Sequence, residues 1–445
     1  MKPVQKPPDS FDLLVRDTRK TIELFQEPKV KELIQRANDK YLHWHEFRHR
    51  PMPMGLNSEF AWQILKLSRS TQLRHISLET TGGKPFGYWL PDSIQKELHF
   101  IDQNATGQIL LDEPTIGEAD RDKYVINSLM EEAIASSILE GAATTRQKAK
   151  EMLREGRKPR TASEQMILNN YATMRKVREY TSQPLSIEML NQLQASMTEG
   201  TLEDPTASGR FRKPGEEIRV VDIADGKILY TPPPATELTS RLQILCNFAN
   251  ETSDRTFIHP VVRGIIMHFW LAYEHPFNDG NGRTARALFY WHLLKNKYWL
   301  IEYIPISRIF LKAPSKYKKA FLYSETDEED LTYFIHFNVR ALSLAIEELR
   351  VYILRKQKEL REASRLMRRV PGLNHRQQDL LHHAFNHPHA IYTIMRHMRT
   401  QGVVYQTARA DLLELTDRSL FTKVKQGKTY YFVPHEELAK KVKVL

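Results

Sequence analysis

The sequence predicts a mainly α protein. A helical main domain carries one β-hairpin, a smaller helical subdomain precedes it, and a basic module of three helices and a two-stranded wing follows it. Three observations carry this reading. Apolar residues recur at three- and four-residue spacing through most of 120–345. One pair of short extended runs, within 218–230, breaks that rhythm. Of a net charge of +11, +10 falls in the last 95 residues, where 18 Lys and Arg stand against 8 Asp and Glu.

A chain of 445 residues exceeds one ordinary core, so more than one domain is expected. With 41% hydrophobic and 27% charged residues it has the composition of a globular protein rather than of a disordered one. Neither the lysine- and proline-bearing start nor any later stretch reaches signal-peptide or bilayer-spanning apolar length, so a cytoplasmic protein without membrane contact is expected. The one cysteine, Cys246, excludes an internal disulfide and a cysteine-built zinc site, and its apolar helical surroundings make it a core residue.

In chain order, residues 1–104 read as an N-terminal helical subdomain, with helical patterns at 21–41 and 58–68, Trp44, Trp62 and Trp89, and a Pro-, Gly- and aromatic-rich connection at 82–91. The main domain, 105–350, has helical patterns at 122–139, 162–180, 186–197, 236–251, 259–272, 284–297, 315–323 and 330–343. Inside it, Ile218, Val220 and Ile223, then an Asp225-Gly226 turn, then 228–230 read as a β-hairpin ended by three prolines. A long charged helix, 344–370, stops at Pro371-Gly372, and a separate module occupies 371–445.

Between two main-domain helices stands His275-Pro-Phe-Asn-Asp-Gly-Asn-Gly-Arg-Thr-Ala-Arg286. Gly280, Asn281 and Gly282 tolerate left-handed backbone just ahead of a helix, so several N–H groups can converge with its positive dipole end into a polyphosphate cradle. Asp279 is a hard oxygen ligand suited to Mg²⁺ that completes its shell with phosphate oxygens. Arg283 and Arg286, three apart, offer donor forks on one helical face. His275 has the ordinary pKa of a base that works near neutral pH. Phe277 reads as an apolar anchor for the loop.

This string resembles the signature of the Fic family (filamentation induced by cAMP), and every fixed position is matched; the helices of 120–345 resemble the Fic fold. The resemblance implies a nucleotidyltransferase that moves AMP from ATP onto a Ser, Thr or Tyr hydroxyl of a target protein, the chain itself included. It makes His275 the base, Asp279 the Mg²⁺ ligand, Gly280, Asn281, Gly282 and Arg283 the phosphate cradle, and Arg286 the γ-phosphate clamp. The hairpin around Ile218 and Val220 is similar to the family's flap, which pairs with the target segment as an added strand. Gly209-Arg210-Phe211-Arg212 is similar to the approach to that flap. Gly282 stands where the phosphate-transferring branch of the family has lysine, which favours AMP transfer. Tyr317-Lys318 departs from the paired tyrosines that many relatives place near adenine, so the part of the pocket expected at Tyr317 differs.

Ser136-Ser-Ile-Leu-Glu140-Gly141, at the end of a helix, matches the family's inhibitory pattern and implies autoinhibition, with the Glu140 carboxylate paired bidentately with the Arg286 fork that would take the γ-phosphate. The tail, with helices at 375–385, 390–398 and 404–415 and a hairpin at 419–433, resembles a winged helix-turn-helix. Gln406, Thr407 and Arg409 lie near the start of its recognition helix, and Arg396, Arg399, Lys423, Lys425 and Lys428 could meet phosphates. Its partner is duplex DNA or a docked protein. The seven His between His375 and His435 lack ligand spacing and read as surface residues. Two other functions remain open: a nucleotide-sensing DNA-binding regulator, and AMP removal with Glu140 positioning water. A homodimer is likewise open.

Overall fold

The computed structural model describes residues 3–8, 18–106, 118–216, 218–221, 226, 228–251, 257–367, 372–387, 390–426, 429–435, 437–438 and 441–442. The chain divides into two compact units, Met1–Leu349 and Arg350–Leu445.

In the first unit the pattern at 21–41 forms two helices, α1 (Thr18–Gln26) and α2 (Pro28–Asp39), because Glu27 precedes a proline and is extended at φ −64°, ψ 123°. After α3 (Trp44–Phe47), α4 (Ser58–Ser70) begins at Asn57, whose side chain accepts from the Glu59 N–H. Trp44, Phe47, Trp62 and Leu65 form a local core there. The expected irregular connection is instead part of an antiparallel hairpin, β1 (Arg74–Glu79) with β2 (Pro85–Tyr88). Phe86 of β2 is buried against Phe269, Trp270 and Tyr273, with centroids 5.6, 5.4 and 5.2 Å away. That long-range aromatic contact decides the local structure.

The helical body runs α5 (Asp92–Ala105), α6 (Glu118–Leu139), α7 (Arg146–Glu155), α8 (Ala162–Val177) and α9 (Ile187–Thr198). Two short strands follow, β3 (Val220–Val221) and β4 (Ile228–Tyr230), antiparallel with Val220 opposite Tyr230 and Val221 opposite Ile228. Ile223, Asp225 and Lys227 of the hairpin lie outside the described residues, while Gly226 is left-handed at φ 68°. Then come α10 (Leu238–Asn250), α11 (Pro260–Glu274), α12 (Asn281–Lys295), α13 (Ile306–Lys312) and α14 (Pro314–Thr326).

The centre is α11 against α12. Val261, Ile265, Phe269 and Trp270 of α11, and Ala285, Leu288, Trp291 and Leu293 of α12, all belong to the largest core. Helices buried on nearly every side cannot rock without opening cavities, so the loop between them has a rigid mount. Helix α15 (Thr332–Met367) runs unbroken across 343–344, since neither Gly nor Pro interrupts it, so the expected break between the two patterns is absent there; 368–370 lie outside the described residues.

The second unit contains α16 (His375–Asn386), entered through a capping box of Asn374 and Gln377, α17 (Ile394–Gln401), ended by left-handed Gly402, and α18 (Tyr405–Asp417). β5 (Phe421–Gln426) and β6 (Thr429–Pro434) form a hairpin, with Gly427 and Lys428 outside the described residues. Leu381, Ala408, Leu412, Leu415, Leu420 and Phe432 form its own core. His397 departs from the surface expectation: it is buried, with Nε2 3.1 Å from Asp411, which also accepts from Arg376 and Asn374. Among the described residues no group of three His, Cys, Asp or Glu could hold a metal ion, and no helix is long and apolar enough to cross a membrane.

Candidate active site

The site is built on the loop between α11 and α12. His275 ends α11 in a left-handed conformation, φ 45°, ψ 55°, with its N–H bonded to Leu271 O at 3.1 Å. A non-glycine residue held there is uncommon and is kept only by its surroundings. Its Nδ1 lies 3.3 Å from the Ala272 carbonyl. A carbonyl can only accept, so this contact places the ring proton on Nδ1 and leaves Nε2 as the free base. Burial pulls the His275 pKa below the ordinary value; the Ala272 carbonyl and the charges of Glu140 and Asp279 oppose this, and Arg212 adds to it. The ring is therefore neutral near pH 7.

Asn281 closes the loop, accepting from Phe277 N at 2.9 Å and donating to Phe277 O at 2.7 Å. Phe277 is fully buried, 5.5 Å from Phe211. This side-chain pairing lets α12 begin at Asn281, three residues before the expected start, and Gly280 becomes its N-cap at φ 85°. A Cβ at 280 would sit 2.8 Å from Thr198 Cγ2, so both backbone angle and space require glycine. The expected left-handed nest over 280–282 is thus one left-handed residue followed by the first helical turn, where a helix has no intrahelical partner for its N–H groups.

The two arginines do not share a face. Arg283 is wholly buried, donating from Nη1 to Met197 O and from Nη2 to Asp279 Oδ2, both at 2.8 Å. It aims Asp279, whose Oδ1 accepts from Gly280 N at 2.6 Å and whose side chain stays 47% exposed. Gln194 bonds Asp279 O at 3.1 Å and accepts from Gly209 N at 2.7 Å. No sequence pattern distinguishes that glutamine from an ordinary mid-helix one.

Arg286 points the other way, to the end of α6. Its Nε donates to Ser136 Oγ at 2.9 Å and Nη2 to Ser136 O at 3.0 Å, while Nη2 also lies 2.8 Å from Glu140 Oε1. Nη1 makes no hydrogen bond of good geometry among the described residues, while the Tyr317 hydroxyl lies beside the guanidinium and interacts with it. The ion pair therefore uses one carboxylate oxygen and not the bidentate fork expected, because Ser136 occupies Nε. Burial alone would depress the Arg286 pKa; the Glu140 charge outweighs it and holds the guanidinium charged. The carboxylate lies over the first turn of α12, for a Cβ on Gly282 would come within 2.2 Å of Glu140 Oε1. Two turns earlier on α6, Glu132 is buried and accepts from Tyr290 Oη at 2.8 Å, Ser307 N at 2.9 Å and Ser307 Oγ. Burial raises its pKa against those donors.

Tyr317 is buried, stacked 4.5 Å from Phe310, with its hydroxyl 2.9 Å from His268 Nε2 and its pKa pushed up to about 12 by burial. Lys318 beside it is exposed. On the hairpin, Ile218 and Val220 are half-buried, while Val221 and Ile228 expose apolar surface.

Residues 184–293 match the family model described as Fic/DOC family, a span that holds the hairpin and the whole loop but not Ser136 or Glu140. Over 85 residues the chain is 36% identical to "Protein adenylyltransferase fic-1" of Caenorhabditis elegans, which is 19% of this chain and 15% of that protein. Over 84 residues it is 32% identical to "Protein adenylyltransferase Fic" of Nematostella vectensis, 19% and 17% of the two chains. The match thus spans under a fifth of these relatives' length. A solved Fic family protein from Desulfovibrio desulfuricans G20 superposes with a TM-score of 0.53 at 18% identity, over 78% of this chain and 97% of that one, which is a likeness of fold. The signature loop between two buried helices, the matched span and the shared fold agree: the chain carries a domain of the Fic/DOC family.

Proposed function

We propose that the chain is a protein adenylyltransferase, moving AMP from ATP to a target hydroxyl and restrained by its own Glu140. The observation that carries this reading is that one loop sets a neutral histidine, the first turn of α12 and a buried guanidinium at the same helix end, with Nε2 of His275 and Nη1 of Arg286 making no hydrogen bond of good geometry among the described residues. The names of the two relatives support the reaction.

In this reaction Nε2 of His275 takes the hydroxyl proton of the target. The oxygen then bonds to the α-phosphorus of ATP as the bond to the β-phosphate oxygen breaks and pyrophosphate leaves. The N–H groups of α12's first turn hold phosphate oxygens, and the apolar edge of β3 and β4 would align the target segment as an added strand. Asp279 fits a Mg²⁺ site: it is accessible and held by Arg283, and, as the loop's one carboxylate, it leaves the other positions to phosphate and water. Bound there, Mg²⁺ would neutralise charge on the phosphates. Glu140 takes Nη2 of Arg286 and covers Gly282, both places where ATP phosphates would lie.

Labelled ATP incubated with the full chain and a lysate tests the reading. Wild type labels weakly, and His275→Ala in a Glu140→Gly background loses about 10²–10⁴-fold in labelling while ATP still binds. Retention of labelling within a few-fold removes His275 from its role.

We infer in addition that the second unit is a winged helix-turn-helix that meets duplex DNA. Gln406 and Arg409 of α18, Arg396 and Arg399 of α17, and Lys423 and Lys425 of β5 are exposed, on the elements such a module turns to phosphates and bases.

A further inference from the structure

Arg212 lies just ahead of the hairpin, is 6% exposed, and has an unusual set of partners. Its backbone N–H donates to Pro276 O at 2.8 Å, its Nε to His275 O at 3.0 Å, and its Nη2 to Glu274 O at 3.4 Å. These are three successive carbonyls at the C-terminal end of α11, where helix carbonyls lack partners and a cation is favoured. The same Nη2 donates to Pro233 O, three residues beyond β4. The carboxylate of Glu274 acts on Arg212 by charge and without a hydrogen bond, because both its oxygens are held by Arg241 at 2.8 Å. Among the described residues Arg212 thus donates to main-chain oxygens alone, from both sides of the site.

The neighbouring contacts repeat the connection. Phe211 packs on Phe277, and Gly209 reaches Asp279 through Gln194. Arg210 forks onto Glu216 at 2.9 and 2.7 Å, bracing the segment that enters β3. Resting on the adenylyltransferase reading, we infer that Arg212 is a positioning residue for the transfer: it holds His275 in its left-handed setting and fastens the root of the flap to the same turn, so that the base and the target-binding edge keep one register. A lysine could supply the charge but not the planar fork that spans Glu274, His275 and Pro233.

The experiment compares Arg212→Lys and Arg212→Met in the full chain carrying Glu140→Gly. With a target protein in excess, kcat is expected to fall about 10–100-fold in both, since a misplacement of about 1 Å costs that much. KM for ATP should stay within about two-fold, because the phosphates face α12. The groups facing His275 are Glu140 of the α6 terminus, Asp279 of its own loop and Arg212. With Glu140 already removed, loss of the Arg212 charge in the methionine variant should move the acid limb of activity to higher pH, and lysine should restore it.

Amide exchange should quicken in the flap and at 275–279 while melting changes little. A rate loss that only tracks loss of folded protein, with the acid limb unmoved in Arg212→Met, would overturn the inference and leave a structural arginine. So would unchanged kcat with unchanged exchange in the flap. If Glu140→Gly transfers no AMP at all, the adenylyltransferase reading fails separately. Arg212 is then judged by exchange and by the titration of His275 in the ¹³C-histidine spectrum: an upward shift in Arg212→Met supports it, and no shift overturns it.

Discussion

Replacing Glu140 by glycine removes one charge from the site and should raise its activity. The ion pair joins a guanidinium 3% exposed to a carboxylate 33% exposed, 2.8 Å apart. A fully solvated pair would be worth about 0–1 kcal/mol, and a hydrogen bond to a buried charge about 1.5–3 kcal/mol. With one partner a third in solvent the lower part of the second range applies, about 1.5–2 kcal/mol. At about 1.4 kcal/mol per factor of ten, this restraint is worth about 10–30-fold in the population of Arg286 free to meet phosphate. Self-labelling with fluorescent ATP, measured as initial rate, should rise by that factor in Glu140→Gly. Arg286 keeps both Ser136 contacts, so melting should fall by only a few degrees. Adding Arg286→Ala should return labelling towards the restrained level. Unchanged labelling in the single variant, or a gain that survives the loss of Arg286, would refute the argument.

Three further outcomes are expected. Asp279→Ala should weaken Mg²⁺-dependent nucleotide binding at least ten-fold, as about 1.4 kcal/mol of coordination would give; calorimetric titration with and without Mg²⁺ checks it, and an unchanged metal dependence removes Asp279 from the site. Because burial lowers the His275 pKa, and the neutral ring is the working form, activity should stay flat as pH falls to the ordinary histidine value and drop only below it; a limb centred above pH 7 contradicts that. Residues 371–445 alone should fold and bind mixed duplex DNA with affinity falling steeply from about 50 to 200 mM salt, and absence of binding at low salt in a filter or anisotropy assay favours a protein partner instead.

The layout of the loop was legible because its parts are contiguous: a histidine, a carboxylate, small residues and two arginines fall within twelve positions, and local spacing is what a sequence displays. What stayed hidden depends on partners distant in the chain. That α12 starts at Asn281 follows from an asparagine side chain folding back on Phe277, against the poor helix propensity of Gly-Asn-Gly. Arg283 and Arg286 look equivalent by spacing, yet Met197 O draws one inward and Ser136 draws the other to α6. The β1–β2 hairpin rests on Phe86 finding an aromatic nest about 180 residues away, a contact no window around 82–91 contains. Ser136 stands in a recognisable local pattern, but that it takes Nε and leaves Glu140 a single oxygen contact is visible only in three dimensions.

Glu132, Ser136 and Glu140 fall at intervals of four along one strip of α6 and its terminus. The first is locked to Tyr290 and Ser307, the last meets Arg286, and the helix between them acts as a spacer of fixed pitch. Restraint is then metered by rotation as well as by charge. One residue inserted between Glu132 and Ser136 would turn everything beyond it by about 100° and advance it about 1.5 Å, swinging the carboxylate off the guanidinium without altering a single side chain. Seven would restore the angle within about 20° but carry the carboxylate about 10 Å past its mark. Deletions and insertions along α6 would therefore act as a vernier on how firmly Glu140 holds Arg286.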